Sequence, residues 1–303
     1  MVYTVTLNPA LDYVMQLPRL TTEDINRAAS AKIFSGGKGT NVSIILKRLG
    51  IPNAALGFAA GFTGKRFVEL LREDGIDSDF TFLSSGETRI NVKIKADVEL
   101  DVNAEGPAIT EEDISSFLCK LDKLTEGDTL VLAGSIPKTL PSDIYERILA
   151  RIDGRGVRCV VDATGELLLR VLKYKPFLVK PNHHELGELF GVVTKTDEEV
   201  ELYARRLKDM GAKNVLVSRG KDGALLVDEN GKVSKIGIVP GKIVSSSGCG
   251  DSMVAGFVAG YEMSRDCAEA LHLGAACGNA TAFSEGLADA QSIRDNYDKL
   301  KLI

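Results

Sequence analysis

Short apolar runs recur along the chain with the length of buried strands: Val2 to Leu7, Ala54 to Phe58, Leu130 to Ala133, Arg158 to Val161, Phe177 to Val179 and Val215 to Val217. Segments of helical period lie between them. Val42, Ile45, Leu46 and Leu49 fall on one helical face, and that pattern stops at Gly50, ahead of Pro52. A second helix is predicted from Thr110, with Asp113 three residues on and Ile114, Phe117, Leu118 and Leu121 on its apolar face. Strand and helix alternating in this way predict an α/β fold, a largely parallel sheet with helices on both faces.

One stretch departs from that pattern. Ile90-Asn91-Val92-Lys93-Ile94-Lys95 alternates strictly, and Val98, Leu100 and Val102 continue the alternation after a turn at Ala96-Asp97, which predicts a half-exposed antiparallel ribbon. A second excursion, Asp12 to Lys32, follows the first strand without a helical period. The expectation is a small β lid made of residues 12–32 and 89–103, closing over a core of residues 1–11, 33–88 and 104–303. The carboxyl ends of the core strands, where open α/β sheets bind ligands, would lie under it. A lid of half-exposed strands also offers an apolar face that a second copy of the chain could cover, so a homodimer is expected.

Composition narrows the function classes. Hydrophobic residues make up 44% and charged residues 26% of the 303 positions, which suits a folded enzyme. A formal net charge of -5 gives no reason to expect a nucleic-acid partner, since phosphate-backbone binding needs surplus cations. The five cysteines are odd in number and lack C-x-x-C spacing, pointing to reduced thiols and a cytoplasmic protein. The N-terminus has no secretory pattern and no apolar run reaches membrane-spanning length, so neither export nor membrane insertion is expected. His183, His184 and His272 are too few and too badly spaced for a metal cage.

Two glycine clusters carry candidate chemistry. Ser247-Gly248-Cys249-Gly250-Asp251-Ser252 opens a helix continued by Met253, Val254, Phe257 and Val258. Glycines let a ligand approach the backbone, and the free N–H groups of a helix N-terminus attract an anion. Asp251, in the first turn, could accept a proton from an attacking hydroxyl; a tight turn whose acid merely caps the helix is an equally good account of the motif by itself. Met253 stands where a dinucleotide fingerprint would have its third glycine, and in Gly37-Lys38-Gly39-Thr40 a glycine separates Lys from Thr, unlike a P-loop. The cluster Gly36-Gly37-Lys38-Gly39-Thr40-Asn41 also leads into a helix, and Lys38 could meet a phosphate. Asp12, just after the first strand, could grip a sugar hydroxyl or form an Asx turn. Arg89 could pair with a phosphate or serve as a solvated edge charge.

In their order and wide separation these segments resemble the two signatures of the phosphofructokinase B family of ribokinase-like sugar kinases, and the resemblance runs nearly end to end. It implies a three-layer, Rossmann-type α/β/α core with a β lid. It also implies Asp251 as catalytic base and the amides of Gly248, Cys249 and Gly250 as an anion hole. Asp12, Gly36, Gly37, Lys38 and Asn41 then become sugar-phosphate contacts, with Arg89 and Arg27 on the substrate's own phosphate. Lys180-Pro181-Asn182-His183-His184-Glu185 resembles the family's Asn-x-x-Glu element, in which Asn182 and Glu185 place Mg²⁺ and the ATP phosphates, with Lys180 nearby. Ser218, Gly220 and Gly223 resemble the nucleotide loop, and Asn279 is expected near the adenine. Gly86 to Lys93, Ala133 to Pro137 and Lys180 to Leu186 are most similar to the 1-phosphofructokinases, and closely related tagatose-6-phosphate kinases share much of this. The resemblance therefore implies ATP-dependent phosphorylation of fructose 1-phosphate. Tagatose 6-phosphate or fructose 6-phosphate is the alternative substrate, and a non-catalytic sugar-phosphate sensor is the alternative of another class. Cys249 departs from the usual Ala or Ser; it reads first as a tolerated small residue, and the sharper alternative is a thiol whose pKa a helix N-terminus lowers, making it oxidisable. Arg219 departs from the usual Leu of the nucleotide loop.

Overall fold

The computed structural model describes residues 1–302. The chain opens with β1 (Val2–Thr6), β2 (Ala10–Gln16) and β3 (Ser30–Gly36), then α1 (Lys38–Arg48), β4 (Asn53–Ala60), α2 (Gly61–Glu73), β5 (Asp77–Leu83), β6 (Arg89–Lys95) and β7 (Glu99–Asn103). Strands and helices then alternate: α3 (Glu111–Lys120), β8 (Thr129–Ala133), α4 (Ile144–Ile152), β9 (Arg158–Asp162), α5 (Gly165–Val171), β10 (Leu178–Val179), α6 (His183–Phe190), α7 (Asp197–Asp209) and β11 (Asn214–Ser218). A hairpin of β12 (Ala224–Val227) and β13 (Val233–Ile236) precedes α8 (Cys249–Ser264), α9 (Cys267–Ala282) and α10 (Ala290–Lys299).

The main sheet has the order β13-β12-β11-β10-β9-β8-β1-β4-β5. It is parallel from β11 to β5, and the hairpin adds an antiparallel edge. Strand order runs outward from β1 in both directions, toward β4 on one side and β8 on the other. Loops leaving neighbouring strands therefore diverge at β1 and leave a crevice at the carboxyl ends, the place where a doubly wound sheet binds ligands.

Alternate strand residues feed two apolar layers. Leu130, Leu132 and Val161 pack with Phe117 of α3, Ile148 of α4, Leu168 of α5 and Val200 of α7. Val131, Ala133 and Val160 pack with Ile45 of α1, Phe257 of α8, Ala276 of α9 and Ile293 of α10. The expected three-layer α/β/α core is the architecture observed. At the predicted helix start, Thr110 Oγ1 accepts from the Asp113 N–H at 3.2 Å and an Asp113 carboxylate oxygen accepts from the Thr110 N–H at 2.9 Å, a reciprocal cap. No helix among the described residues is long and apolar enough to cross a membrane.

The second sheet has the order β3-β2-β6-β7. Its strands start and end outside the expected 12–32 segment: β2 begins at Ala10 and β3 runs to Gly36, so the first glycine cluster is the seam between lid and core. Periodicity hid these two strands because Val14 and Phe34 fall among the polar positions of one side and Ser35 among the apolar positions of the other, which breaks the alternation. Asp12, Phe34 and Asn91 are register partners on one side of this sheet, as are Val14, Lys32, Lys93 and Asp101 two residues along. Tyr13, Ile33, Val92 and Val102 occupy the opposite side.

Candidate active site

A cleft of about 510 Å³ lies between the polar side of the lid and the crevice at β1. The end of β1 supplies Thr6, Leu7 and Asn8, the end of β8 supplies Ala133 and Gly134, and β9 ends in Asp162 on its floor. Asp12, Arg89, Asn91 and Lys93 come from the lid, Gly37, Lys38 and Asn41 from the start of α1, and Lys180, Asn182 and Glu185 from the entry to α6. Ser218 of β11 and Gly248, Gly250 and Asp251 at the start of α8 complete it.

Helix α8 begins where Gly248 takes φ +77, a left-handed conformation that a side chain would strain. Of the N–H groups that follow, that of Cys249 donates to the Ser246 carbonyl at 3.5 Å, and Gly248, Gly250 and Asp251 line the end of the cleft. At Gly250 a Cβ would lie 3.1 Å from Lys180 Nζ, so the missing side chain keeps backbone and ammonium close together. Asp251 is 6% exposed, and its Oδ2 accepts a hydrogen bond from Asn41 Nδ2 at 2.7 Å. Burial pushes its carboxyl up to about 6, the Asn41 bond opposes that rise, and the charge of Asp162 adds to it. A buried carboxylate titrating near neutrality has the character of a general base.

Two lysines flank this acid. Lys38 Nζ lies 3.5 Å from Asp162 Oδ2, and Lys180 Nζ lies 3.3 Å from Asp162 Oδ1. Burial works against the charge of Lys38, but Asp162 and Asp251 outweigh it and hold the ammonium above its ordinary range. Asp162, 3% exposed, is thus a shared counter-ion for two cations that point into the cleft. Sequence reasoning passed over it, although an acid closing the apolar run Arg158 to Val161 at a strand's carboxyl end was the available signal.

On the lid side, Asp12 Oδ1 accepts from Asn91 Nδ2 at 2.9 Å, and Asp12 Oδ2 pairs with Lys93 Nζ at 2.8 Å. Arg89, Asn91 and Lys93 alternate along β6 and so share one face; the alternation was legible, but of these three only Arg89 had been given a partner. Arg89 donates from Nη2 to the Asn8 carbonyl at 3.1 Å and from Nη1 to the Ala104 carbonyl at 3.4 Å. Asn182 and Glu185 form a reciprocal cap on α6: Asn182 Oδ1 accepts from the Glu185 N–H at 2.9 Å, and Glu185 Oε2 accepts from the Asn182 N–H at 2.7 Å.

The other expected residues stand outside the cleft wall. Gly36 packs against the Asp12 carboxylate. Arg27 is exposed on the segment joining β2 and β3. Gly220 and Gly223 form the turn after β11, where the Arg219 side chain is held by Asp197 at 2.5 Å. Asn279 Oδ1 accepts from the Val239 N–H at 3.3 Å, and Asn279 Nδ2 donates to the Ala275 carbonyl at 3.0 Å. The surroundings of Cys249 favour the plain small residue over the acidic thiol. Burial first, and then the neighbouring Asp251 charge, push the thiol up to about 11, so it is neutral at ordinary pH; desolvation exceeds the pull of the helix N-terminus.

With a doubly wound sheet, a β lid, and a buried carboxylate beside a helix N-terminus and two lysines, the chain has the parts of a phosphoryl-transfer site. Residues 5–294 match the family described as pfkB family carbohydrate kinase, and the chain belongs to that family. It is 44% identical over 302 residues to a 1-phosphofructokinase of Bacillus subtilis, covering 100% of this chain and 99% of that one. It is 35% identical over 303 residues to a D-tagatose-1-phosphate kinase of Bacillus licheniformis, covering 100% and 99%. Among solved structures, Escherichia coli phosphofructokinase-2 in complex with fructose-6-phosphate superposes with a TM-score of 0.91 at 28% identity, over 98% of each chain. The chain is an ATP-dependent sugar-phosphate kinase, and the sensor alternative has no finding in its favour.

Proposed function

We propose that this kinase transfers the γ-phosphoryl group of ATP to the C6 hydroxyl of fructose 1-phosphate, giving fructose 1,6-bisphosphate and ADP. The 44% identity to a 1-phosphofructokinase over the full chain supports the substrate, and the buried Asp251 beside Gly250 and Lys180 supports the chemistry. Asp251 takes the proton of the attacking hydroxyl; Asn41 holds Oδ2 and leaves Oδ1 for the acceptor. The amides at Gly248 to Gly250, with Lys38 and Lys180, receive the charge on the equatorial oxygens of the transferring group. Asp12 orients the sugar, and the turn at Ser218 to Gly223 receives the nucleotide.

The residues present fit a hydrated divalent cation. Glu185 Oε1 is left over from the helix cap, and the buried Asp162 Oδ2 has no hydrogen bond, only the Lys38 ammonium 3.5 Å away. No group of three ligating side chains forms a cage among the described residues, which suits Mg²⁺, an ion that keeps waters and phosphate oxygens. Asn182 and Glu185 would hold it through water, and it would neutralise charge on the ATP phosphates. The lid's apolar side, carrying Ile33, Ile90, Leu100 and Val102, each at least 42% exposed, would pair with a second copy of the chain. The five free thiols suit the reducing cytoplasm.

The test is ADP release from Mg-ATP with fructose 1-phosphate, tagatose 1-phosphate, tagatose 6-phosphate and fructose 6-phosphate as acceptors. Preference for fructose 1-phosphate by tenfold or more in kcat/KM is expected. The D-tagatose-1-phosphate kinase relative makes the C4 epimer the second acceptor to examine, and a preference for it would move the assignment. A preference for either 6-phosphate, or binding without turnover, would overturn the proposal.

A further inference from the structure

The turn after β11 is fastened on its outer side as well as at the cleft. At the cleft, the Ser218 N–H donates to the Pro181 carbonyl at 3.2 Å and Ser218 bridges Asn182, which ties the strand end to the entry of α6. The turn also closes on itself. The Arg219 N–H donates to the Gly223 carbonyl at 2.8 Å, and the Asp222 N–H donates to the Arg219 carbonyl at 3.1 Å. Gly223 has φ +80, and a Cβ there would collide with the Ile236 carbonyl oxygen, so only glycine lets the turn press against the end of β13.

Side chains complete a ring around this turn. Arg219 Nη1 lies 2.5 Å from Asp197 Oδ1, and Asp197 Oδ2 lies 3.0 Å from Lys235 Nζ. Asp197 is the first residue of α7, and Lys235 immediately precedes Ile236 on β13. From Arg219 the contacts run through Asp197 and Lys235 to Ile236, and return through Gly223 to Arg219. The Arg219 side chain is 12% exposed, and Asp197 is the one carboxylate in ion-pair contact with it among the described residues. A guanidinium so little exposed depends on its counter-ion, and its planar fork fixes direction as well as distance. The charges of Lys235 and Arg219 hold the Asp197 carboxyl below its ordinary range, as befits a carboxylate shared by two cations. Arg219, Asp197 and Lys235 are not among the residues lining the reaction cleft.

We propose that Arg219 is a positioning residue for ATP: its ion pair with Asp197 fixes the turn at Ser218 to Gly223 in the conformation that receives the nucleotide, while the guanidinium itself does not touch the phosphates. The inference rests on the assignment of that turn to the nucleotide made above. A leucine, usual at this position in the family, holds a turn only by packing. Here the hold is ionic and is supplied by a second segment, the start of α7.

Asp197→Asn, Arg219→Gln, the double variant and Arg219→Lys are compared with wild type. Each of the first two is expected to raise KM for ATP by about fivefold to tenfold, with kcat and KM for fructose 1-phosphate within about twofold. Calorimetric binding of ADP is expected to weaken by the same factor, and it reads the contact whichever sugar is phosphorylated. The double variant is expected to be no worse than either single one, since each breaks the same pair, and Arg219→Lys to recover part of the loss. If the guanidinium bound the ATP phosphates directly, Asp197→Asn would free it and leave KM for ATP unchanged or lower. That result, or additive losses in the double variant, would overturn the positioning role. Gly220→Val distorts the turn itself, because Gly220 has φ +56, a conformation that a β-branched residue resists. A raised KM for ATP in Gly220→Val with no change in Asp197→Asn removes the ion pair's role alone. Unchanged nucleotide affinity in both removes the turn from the nucleotide site, and the inference with it.

Discussion

Asp251 shows how one residue couples chemistry to stability. Its carboxyl is raised to about 6 mainly by burial, so the folded state binds a proton more tightly than the unfolded chain does. Ionising it in place costs stability, and that cost appears as pH rises through the interval from about 4 in the unfolded chain to about 6 in the folded one. As the proposed base, Asp251 would work only when ionised, so kcat/KM is expected to fall below about pH 6, with a single-proton acid limb in the rate profile. Asp251→Asn removes the proton acceptor and the buried charge together. It is expected to lower kcat by about 10² to 10⁴ while raising Tm at neutral pH by a few degrees, read by the ADP assay and by thermal unfolding. An unchanged acid limb, or a fall in Tm, would contradict this account. The glycines around Asp251 were legible in the sequence because few residue types serve that turn. The height of its pKa was not, because burial, Asn41 and Asp162 come from segments distant along the chain.

Among the elements, α8 carries the largest functional burden. Its residues from Val254 to Gly260 are buried against α9 and the sheet, and its N-terminus is aimed at the cleft. Gly250 is helical, so alanine there suits the backbone but sets a methyl group 3.1 Å from Lys180 Nζ. Gly250→Ala is expected to keep or slightly raise Tm and to lower kcat severalfold, since the Lys180 ammonium must shift by a few tenths of an ångström from its place beside the helix N-terminus. Unaltered turnover would show that the amides and Lys180 do not act together. The opposite case is Thr110, whose cap on α3 lies outside the cleft wall. Thr110→Ala is expected to cost about 1 kcal/mol of stability, measured by denaturant unfolding, with turnover unchanged. Both helix starts were visible in the sequence, because capping residues and glycine turns are local signals. Strands β2 and β3 were not, because Val14 and Phe34 on the cleft side and Ser35 on the other break the alternation that made the ribbon legible.

At the scale of the whole molecule, the lid has two unlike faces, and each has its own expected partner. The polar face lines the cleft through Asp12, Arg89, Asn91 and Lys93, and the apolar face leaves Ile33, Ile90, Leu100 and Val102 exposed. Leu100→Asp with Val102→Asp is expected to convert a dimer to a monomer in sedimentation velocity, and a monomeric wild type would refute that assembly. The sequence by itself determined the alternation of strands and helices, the ribbon, the two glycine turns and the acid that follows the second, because these depend on period and on backbone conformations open to few residue types. Only the tertiary structure decided that Asp162 lies between Lys38 and Lys180, that Asn41 holds Asp251 from 210 positions away, and that Arg219 meets Asp197 at the start of α7. Those contacts depend on which strands become neighbours and on which side of the sheet each residue falls. That information resides in the pairing of distant segments rather than in any one of them.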